Sequence, residues 1–274
     1  MLNKDLSEDL KDLVSNQLYR YRKSIKEIKG QKIRIDDQWV LNFSSNDYLG
    51  LTQNNDIKKS IINGIKQYGN GSGASHLISG HYSIHDEIEK LSAKNLGFDK
   101  SILFTSGFAA NIGVITSLCG RNDVIFSDKL NHASLNEASL LSKSKFIRYR
   151  HLNLDHLEQL LKKHNGRRKL IISDSVFSMD GDLINIPILI NLCEKYDAYL
   201  YIDDAHGFGV LGKNGQPDKI YSNQQARESD IDNSEEFTKN TIFLTYLKDQ
   251  MDIADEVKGQ VIFSTQLRKL VEQG

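Results

Sequence analysis

The sequence predicts an α/β fold in which a mostly parallel sheet is sandwiched by helices. Between residues 101 and 202, short apolar runs alternate with helical patterns, an alternation typical of parallel strands joined by crossover helices. The run at residues 199–209, YLYIDDAHGFG, ends in two carboxylates and a histidine between glycines. Because the carboxyl ends of parallel strands form one edge of the sheet, we expect a binding site at that edge.

Composition narrows the possible partners and the compartment. The 274 residues are 39% hydrophobic, and 35 basic against 36 acidic side chains leave a net charge of −1, so nothing favours nucleic acid or an anionic membrane as a partner. No apolar run approaches the ~20 residues that span a bilayer, and the acidic start is unlike a secretory signal. We therefore expect a cytoplasmic protein, with Cys119 and Cys193 as buried, reduced thiols and no metal site.

The first 45 residues form a predicted N-terminal helical arm and short hairpin. Residues 4–28 have an amphipathic helical pattern, whose apolar face consists of Leu6, Leu10, Leu13, Leu18 and Ile25. The segment IRIDDQWVLNF then predicts two short strands around a tight turn.

Residues 46–212 are predicted to be the large domain. Their periodicity predicts helices at 56–67, 82–96, 108–118, 133–141, 154–164 and 187–195, and strands at 101–105, 124–127, 146–149, 169–173 and 198–202. Residues 213–240 are polar and should form a long loop or be disordered. Residues 241–274 are a divergent tail with two further predicted strands, at 241–247 and 260–267.

The segment SILFTSGFAANIGVI, residues 101–115, has the outline of a phosphate-binding turn. An apolar strand is followed by a Ser-Gly break and an Ala-rich helix start, where the amides of Gly107 and Phe108 would face an anion. Taken alone, the segment is more typical of an ordinary strand-to-helix turn.

Three further segments place polar side chains after predicted strands of the same sheet. Each segment alone is typical of a solvated loop, but together they offer what an aromatic, phosphorylated cofactor needs, namely a carboxylate for a ring cation and imidazoles for the ring. The side chains are His132, Asp174, Ser178, Asp180, Asp203 and His206.

These segments together resemble the α-oxoamine synthase family, pyridoxal-phosphate enzymes with the aspartate-aminotransferase fold (fold type I). The resemblance covers residues from about 18 to 216 and is carried by NFSSNDYLGL, GNGSGASHLISGHYSIHDEIEKLSAKNLG, LFTSGFAAN, DKLNHASL, DSVFSMDGD and IDDAHGFGVLGKNGQ. It implies pyridoxal 5'-phosphate as cofactor, small-molecule substrates and a homodimer. It is strongest to the biotin-pathway branch, which condenses a pimeloyl thioester with L-alanine and releases carbon dioxide.

The resemblance also implies roles for individual residues. Asp203 would pair with the pyridinium nitrogen, His132 would stack on the ring and act in catalysis, and His206 would reach the phenolic oxygen. Ser178 would lie close to the cofactor, and the amides of Gly107 and Phe108 would hold its phosphate. Arg20 and Asn46, with His132, would contact the substrates.

The sequence departs from the family after residue 216. The family has a lysine in a Thr-x-x-Lys turn that forms the Schiff base, and here Thr245-Tyr-Leu-Lys248 is followed by Asp249 and Gln250 rather than glycine. We expect the small C-terminal domain to be missing and the activity to be impaired, with Lys248 as the candidate lysine.

Two other interpretations stay open at this point. The chain could be a non-catalytic partner subunit of a complete homologue, or a sibling synthase that uses glycine or serine. A nicotinamide-dependent enzyme is disfavoured, because no predicted strand is followed by G-x-G-x-x-G with an acidic residue ~20 positions later.

Overall fold

The computed structural model of the chain describes residues 2–96, 98–211, 241–246 and 261–264. The chain divides into two units, Met1–Asn46 and Asp47–Gly274. The predicted polar loop at 213–240 and the candidate Lys248 lie outside the described residues.

The first unit combines one helix with a three-stranded antiparallel sheet. Helix α1 is Leu2–Ser15, and the strands are β1 (Ile25–Lys29), β2 (Lys32–Ile35) and β3 (Gln38–Leu41), in the order β1-β2-β3. Asp36 and Asp37 have φ values of 47° and 65° in the turn between β2 and β3. Two consecutive left-handed residues suit the right-handed twist of a hairpin, so the predicted strands and tight turn are confirmed.

The predicted helix over residues 4–28 is wrong beyond residue 15. Gln17 adopts a left-handed conformation with φ of 57°, and the Leu18 amide donates to the Leu13 carbonyl at 2.8 Å, which closes the helix. Ile25–Lys29 instead pairs with β2. Pairing in a hairpin satisfies the backbone and overrides the helical spacing of Leu18 and Ile25.

The second unit is a seven-stranded sheet with helices. Its elements agree with the predicted ones to within a few residues. The helices are α2 (Asn55–Tyr68), α3 (Ser83–Leu96), α4 (Gly107–Leu118), α5 (Ala133–Leu141), α6 (Leu154–Lys163) and α7 (Ile186–Tyr196). The strands are β4 (Ser101–Phe104), β5 (Val124–Asp128), β6 (Lys145–Tyr149), β7 (Lys169–Asp174), β8 (Tyr199–Asp203), β9 (Thr241–Tyr246) and β10 (Val261–Ser264).

The strand order β4-β10-β9-β8-β7-β5-β6 confirms a mostly parallel sheet. Four neighbouring pairs are parallel, and β10 is antiparallel to both β9 and β4. Since β4 and β9 both oppose β10, β4 runs in the same direction as the parallel strands. The start of α4 therefore lies at the same edge of the sheet as the carboxyl ends of β5, β7 and β8.

Each face of the sheet is buried under its own pair of helices. One core joins alternate strand residues such as Ile172 and Tyr201 to α4 and α5, and the other joins Ile171 and Leu200 to α6 and α7. Alternation on the strands explains why both faces are apolar. Cys119 and Cys193 belong to different cores as free, buried thiols, as the sequence predicts.

Candidate functional site

Two buried aspartates lie side by side at the carboxyl edge of the sheet. Asp174 ends β7 and Asp203 ends β8, in register across the parallel pair, and they are only 6% and 7% exposed. Burial, followed by the nearby Asp203 carboxylate, raises the pKa of Asp174 to about 8. Two buried carboxylates cannot both be charged cheaply, so this edge is a place where a cation would be stabilised.

The carboxylate of Asp203 is oriented by two hydrogen bonds. Its Oδ2 accepts from Asn111 Nδ2 at 2.9 Å, and its Oδ1 accepts from the Ala205 amide at 3.1 Å. Burial raises the pKa of Asp203, while these two hydrogen bonds oppose the rise by favouring the ionised form. A positively charged partner would further stabilise the ionised carboxylate.

Asn111 connects Asp203 to the next loop of the site. Its Nδ2 also donates to Ser134 Oγ at 2.8 Å, and its Oδ1 accepts from the Tyr201 hydroxyl at 2.6 Å. Ser134 Oγ lies 2.7 Å from Nδ1 of His132. A continuous hydrogen-bond network, defined here as Tyr201, Asn111, Asp203, Ser134 and His132, therefore links β8, α4 and the start of α5.

His132 begins α5 as its N-terminal cap. Its Nδ1 accepts from the Ser134 amide at 3.2 Å, and its own amide donates to Asp174 Oδ2 at 2.7 Å. The side-chain cap is one reason why the helix begins here. The structure thus fixes His132 to both aspartate-bearing strands, through Asp174 directly and through the network to Asp203.

His206 follows β8 in the next turn. Its Nδ1 lies 2.8 Å from the Tyr48 hydroxyl. Burial lowers the pKa of His206. The ring is therefore neutral at pH 7 and is held by the phenol, and within the described residues its Nε2 is left for another partner.

The start of α4 presents backbone amides at the same edge. Ser106 caps this helix, with its Oγ accepting from the Ala109 amide at 3.1 Å. Gly107 and Phe108 lie in the first turn, where amides have no acceptor within the helix and the helix dipole favours an anion.

Of the remaining predicted site residues, the structure describes only Ser178 in the second unit, and it is not joined to this arrangement. Ser178 lies in an exposed turn between Val176 and Leu183, and no hydrogen bond connects it to the network within residues 98–211. Arg20 and Asn46 belong to the first unit, so their proposed contacts with a substrate stay predictions. Lys248 lies outside the described residues.

A histidine clamp, formed by His151 with Asp128 and Asp182, lies at the end of β5. Nδ1 of His151 is 2.8 Å from Asp128 Oδ1, and its Nε2 is 3.1 Å from Asp182 Oδ2. The ring meets Phe177 edge-on, with centroids 4.4 Å apart. The clamp ties the end of β5 to the turn that carries Ser178.

One further group of side chains could hold a metal ion, although the sequence predicts no metal site. Ligand atoms of His81, Asp86 and Glu89 lie within 4.8 Å of one another. The contacts already present account for the arrangement, because His81 Nε2 is 3.1 Å from Asp86 Oδ1 and Glu89 Oε1 accepts from the Leu103 amide.

The residues that support the site are missing from the sequence-based prediction. Asn111 and Ser134 are not among the predicted site residues, although an amide inside the apolar segment GFAANIGVI is a visible signal of a buried polar contact. Tyr201 precedes Asp203 by two residues on β8, and the two-residue period of a strand places both on the same face. This spacing could have identified Tyr201 as a neighbour of the site. Tyr48 lies more than 150 positions from His206, and no local pattern indicates that contact.

The edge as a whole fits a ligand with a cationic aromatic ring and an anionic group. The buried Asp203 would stabilise the cation, His132 and His206 offer imidazoles from two separate turns, and the first turn of α4 would receive the anion. This donor set fits a protonated pyridine ring that carries a phosphate.

Comparisons with known proteins agree with this chemistry. Residues 38–240 match the aminotransferase class I and II family. An 8-amino-7-oxononanoate synthase of Nitrosomonas europaea is 46% identical over 225 residues, which are 82% of this chain and 58% of that protein. The chain thus spans little more than half the length of the curated relatives it matches.

Solved structures show the same fold. A serine palmitoyltransferase with pyridoxal phosphate has a TM-score of 0.79 at 20% identity, over 98% of this chain and 64% of that one. The 8-amino-7-oxononanoate synthase of Francisella tularensis has a TM-score of 0.61 at 28% identity, over 83% and 59%. Among the helices of the described residues, none has both the length and the apolar character needed to cross a bilayer.

Proposed function

The chain belongs to the aminotransferase class I and II family, and from this we propose that it binds pyridoxal phosphate and acts as an acyltransferase of biotin biosynthesis. The observation that carries the proposal is the buried Asp203 carboxylate, oriented by Asn111 at the sheet edge where α4 begins. The similarity to 8-amino-7-oxononanoate synthases supports the reaction class.

Each residue of the edge would hold one part of the cofactor. Asp203 would pair with the protonated ring nitrogen, His132 would stack on the ring face, and His206 would contact the phenolic oxygen. The amides of Gly107 and Phe108 would bind the phosphate, and Ser178 would lie close by. When bound, pyridoxal phosphate supplies a protonated ring that withdraws electrons from the α-carbon of an amino acid.

The substrates we propose are a pimeloyl thioester and L-alanine. A carbon–carbon bond would form between the acyl carbon and the α-carbon of alanine, while the thiol of coenzyme A or a carrier protein leaves and the alanine carboxylate departs as carbon dioxide. Arg20 would contact the acyl chain or its carboxylate, and Asn46 would lie near the amino-acid pocket. We further propose a cytoplasmic homodimer.

A binding role without turnover is the second candidate, and the sequence around Lys248 favours it. Asp249 and Gln250 follow this lysine where the family has small residues, and a missing general base alone costs about 10²- to 10⁴-fold in rate. In that case the chain would act as a partner subunit of a complete homologue. A sibling synthase using glycine or serine would show the same cofactor binding with a different amino acid.

One experiment separates these possibilities. The purified chain is dialysed against pyridoxal phosphate, reduced with borohydride and mapped by peptide mass spectrometry, and product formation is measured with pimeloyl-CoA and each of alanine, glycine and serine. We expect retained cofactor, label on Lys248 and product from alanine. Retained cofactor without label or product would support the partner-subunit role, and absence of binding would overturn the proposal.

Lys248→Ala serves as the variant and Lys129→Ala as the control. Lys129 is an exposed lysine in the turn after β5, so replacing it should leave the labelled peptide unchanged. Label that persists in Lys248→Ala would assign the role to another lysine.

A further inference from the structure

Asn111 occupies a position in the candidate site to which the proposed function assigns no role. It lies in the second turn of α4 and is 1% exposed, so contact with solvent does not explain an amide in an apolar helix. Burying a side-chain amide costs free energy unless its donors and its acceptor all form hydrogen bonds. Asn111 meets this condition, because its three hydrogen bonds go to Tyr201 and Asp203 on β8 and to Ser134 at the start of α5.

The chemistry of its partners fixes the orientation of the Asn111 amide. The side chain has two N–H donors, and Asp203 Oδ2 and Ser134 Oγ accept one each, at 2.9 and 2.8 Å. Its oxygen accepts from the Tyr201 hydroxyl at 2.6 Å. With Asp203 ionised, as pairing with a protonated ring requires, its carboxylate only accepts hydrogen bonds, and a reversed amide would place its oxygen against these acceptors.

Asn111 acts on two cofactor-contacting groups at once. On one side it holds Asp203 Oδ2, while the Ala205 amide holds Oδ1, so the carboxylate cannot rotate freely. On the other side it engages Ser134 Oγ, which lies 2.7 Å from Nδ1 of His132. With Nδ1 engaged by the Ser134 hydroxyl and amide, a neutral His132 carries its proton on Nε2.

We propose that Asn111 is a positioning residue. It keeps the Asp203 carboxylate ionised and in a fixed orientation, and through Ser134 it fixes the orientation of the His132 ring. This inference rests on the proposed binding of pyridoxal phosphate. Asn111 does not touch the cofactor in this assignment and acts only through Asp203 and Ser134.

The charges around Asp203 determine how this role can be measured. Asp174 faces it from β7, while His132 and His206 favour its charged form from the two adjoining turns. Tyr201, on the same strand, stays a neutral donor to Asn111. Without the hydrogen bond from Asn111, burial and the neighbouring Asp174 would raise the pKa of Asp203 further. Asp203 would then take up a proton at a higher pH.

The test is the affinity of the full chain for pyridoxal phosphate as a function of pH, measured by equilibrium dialysis for wild type, Asn111→Leu and Tyr201→Phe. Loss of a hydrogen bond to a charged group predicts about 10- to 100-fold weaker binding in Asn111→Leu at pH 7. The acid midpoint of the binding profile should rise by roughly one pH unit. Tyr201→Phe, which removes a single hydroxyl and should fold, is expected to move the midpoint in the same direction by less.

Asn153→Ala is the matched control, because it removes an asparagine that only caps α6. It should lower the melting temperature without moving the acid midpoint. Unchanged binding by folded Asn111→Leu, or a loss of equal size at every pH, would overturn the inference; should that variant not fold, an unmoved midpoint in Tyr201→Phe would do so. A wild-type chain that does not bind pyridoxal phosphate would instead overturn the proposed function and this inference with it.

Discussion

Asp203 is a buried carboxylate at the centre of the candidate site. It lies in register with a second buried carboxylate, and among the described residues its oxygens accept hydrogen bonds from two neutral donors. A buried carboxylate in this state is costly in the absence of a cation and favourable in its presence. The proposed cofactor would supply that cation, so the same residue should control both binding and stability.

Asp203→Asn should weaken pyridoxal phosphate binding strongly, because it replaces the negative charge by a neutral amide of the same shape. Removing one partner of a buried charge pair costs about 2–5 kcal/mol, which corresponds to a loss of roughly 30-fold or more. Equilibrium dialysis measures this loss. The control is Asp197→Asn, at the start of the segment leading into β8 and exposed, which should bind like wild type. Equal affinities in the two variants would contradict the role of Asp203.

Asp174 should make the cofactor-free chain less stable as the pH rises. Its pKa is raised from 3.8 to about 8 in the folded state, so the folded protein binds a proton that the unfolded chain has released between these values. Stability from this group is complete below about pH 4 and is lost as the pH rises towards 8. Asp174→Asn should remove this loss, so it should raise the unfolding free energy at about pH 8.5 more than at about pH 5.

Urea unfolding at about pH 5 and about pH 8.5 measures the effect of Asp174. The amide introduced at this position would keep an acceptor for the His132 amide, so little else should change. A variant that gains nothing at the higher pH relative to the lower would show that Asp174 is already charged without penalty.

At the scale of residues, the sequence predicts the side chains proposed to contact the cofactor but not the side chains that orient them. Asp203, His132 and His206 are predicted because each follows an apolar strand in a family-like segment. Asn111 and Tyr201 are 90 positions apart, and their contact exists only because α4 packs across β8. Such a contact depends on tertiary packing, which leaves no periodic signal in either segment.

The helices and strands of the large domain follow closely from local sequence patterns. Apolar runs and helical spacing set α2 to α7 and β4 to β8, because a sheet buried on both faces requires them. The helical spacing of apolar residues gave a wrong prediction at Ile25–Lys29, which forms a strand paired with β2. It also could not show that β10 lies between β4 and β9, since strand order is set by long-range pairing rather than by local composition.

His151 should stabilise the fold more at low pH than at high pH. Burial lowers the pKa of His151, but its hydrogen bonds to Asp128 and Asp182 outweigh burial and hold the pKa above its ordinary value. A raised pKa gives stability that is complete below about pH 6.5 and is lost as the pH rises through the folded value. His151→Gln should therefore cost more unfolding free energy at about pH 5.5 than at about pH 8.5.

The control for the clamp is His164→Gln. His164 caps the end of α6, and burial and the nearby Lys145 lower its pKa, so its removal should not cost stability preferentially at low pH. Denaturant unfolding of both variants at the two pH values measures the contrast. Equal losses for His151→Gln at both values would mean that the clamp acts only by packing against Phe177.

At the scale of the whole molecule, the chain exposes apolar side chains that a monomer in water would normally cover. The helical turn His76–Gly80 presents Leu77 at 93% and Ile78 at 79% exposure. The turn is tightly built, because a Cβ on its buried Gly80 would lie 1.9 Å from the Ala74 carbonyl oxygen. A turn that displays two large apolar side chains next to each other is typical of an interaction surface, and this favours the proposed homodimer.

Replacing both residues should dissociate such a dimer. Burying each side chain is worth about 1.5–3 kcal/mol, and in a two-fold symmetric interface each substitution counts twice. The double variant Leu77→Ser and Ile78→Ser should therefore weaken self-association by at least about 100-fold. Sedimentation velocity over a concentration series measures this, with Ile188→Ser, a partly exposed residue of α7, as the control. A wild-type chain that is monomeric throughout would contradict the homodimer, whereas a double variant that stays dimeric would place the interface on another surface.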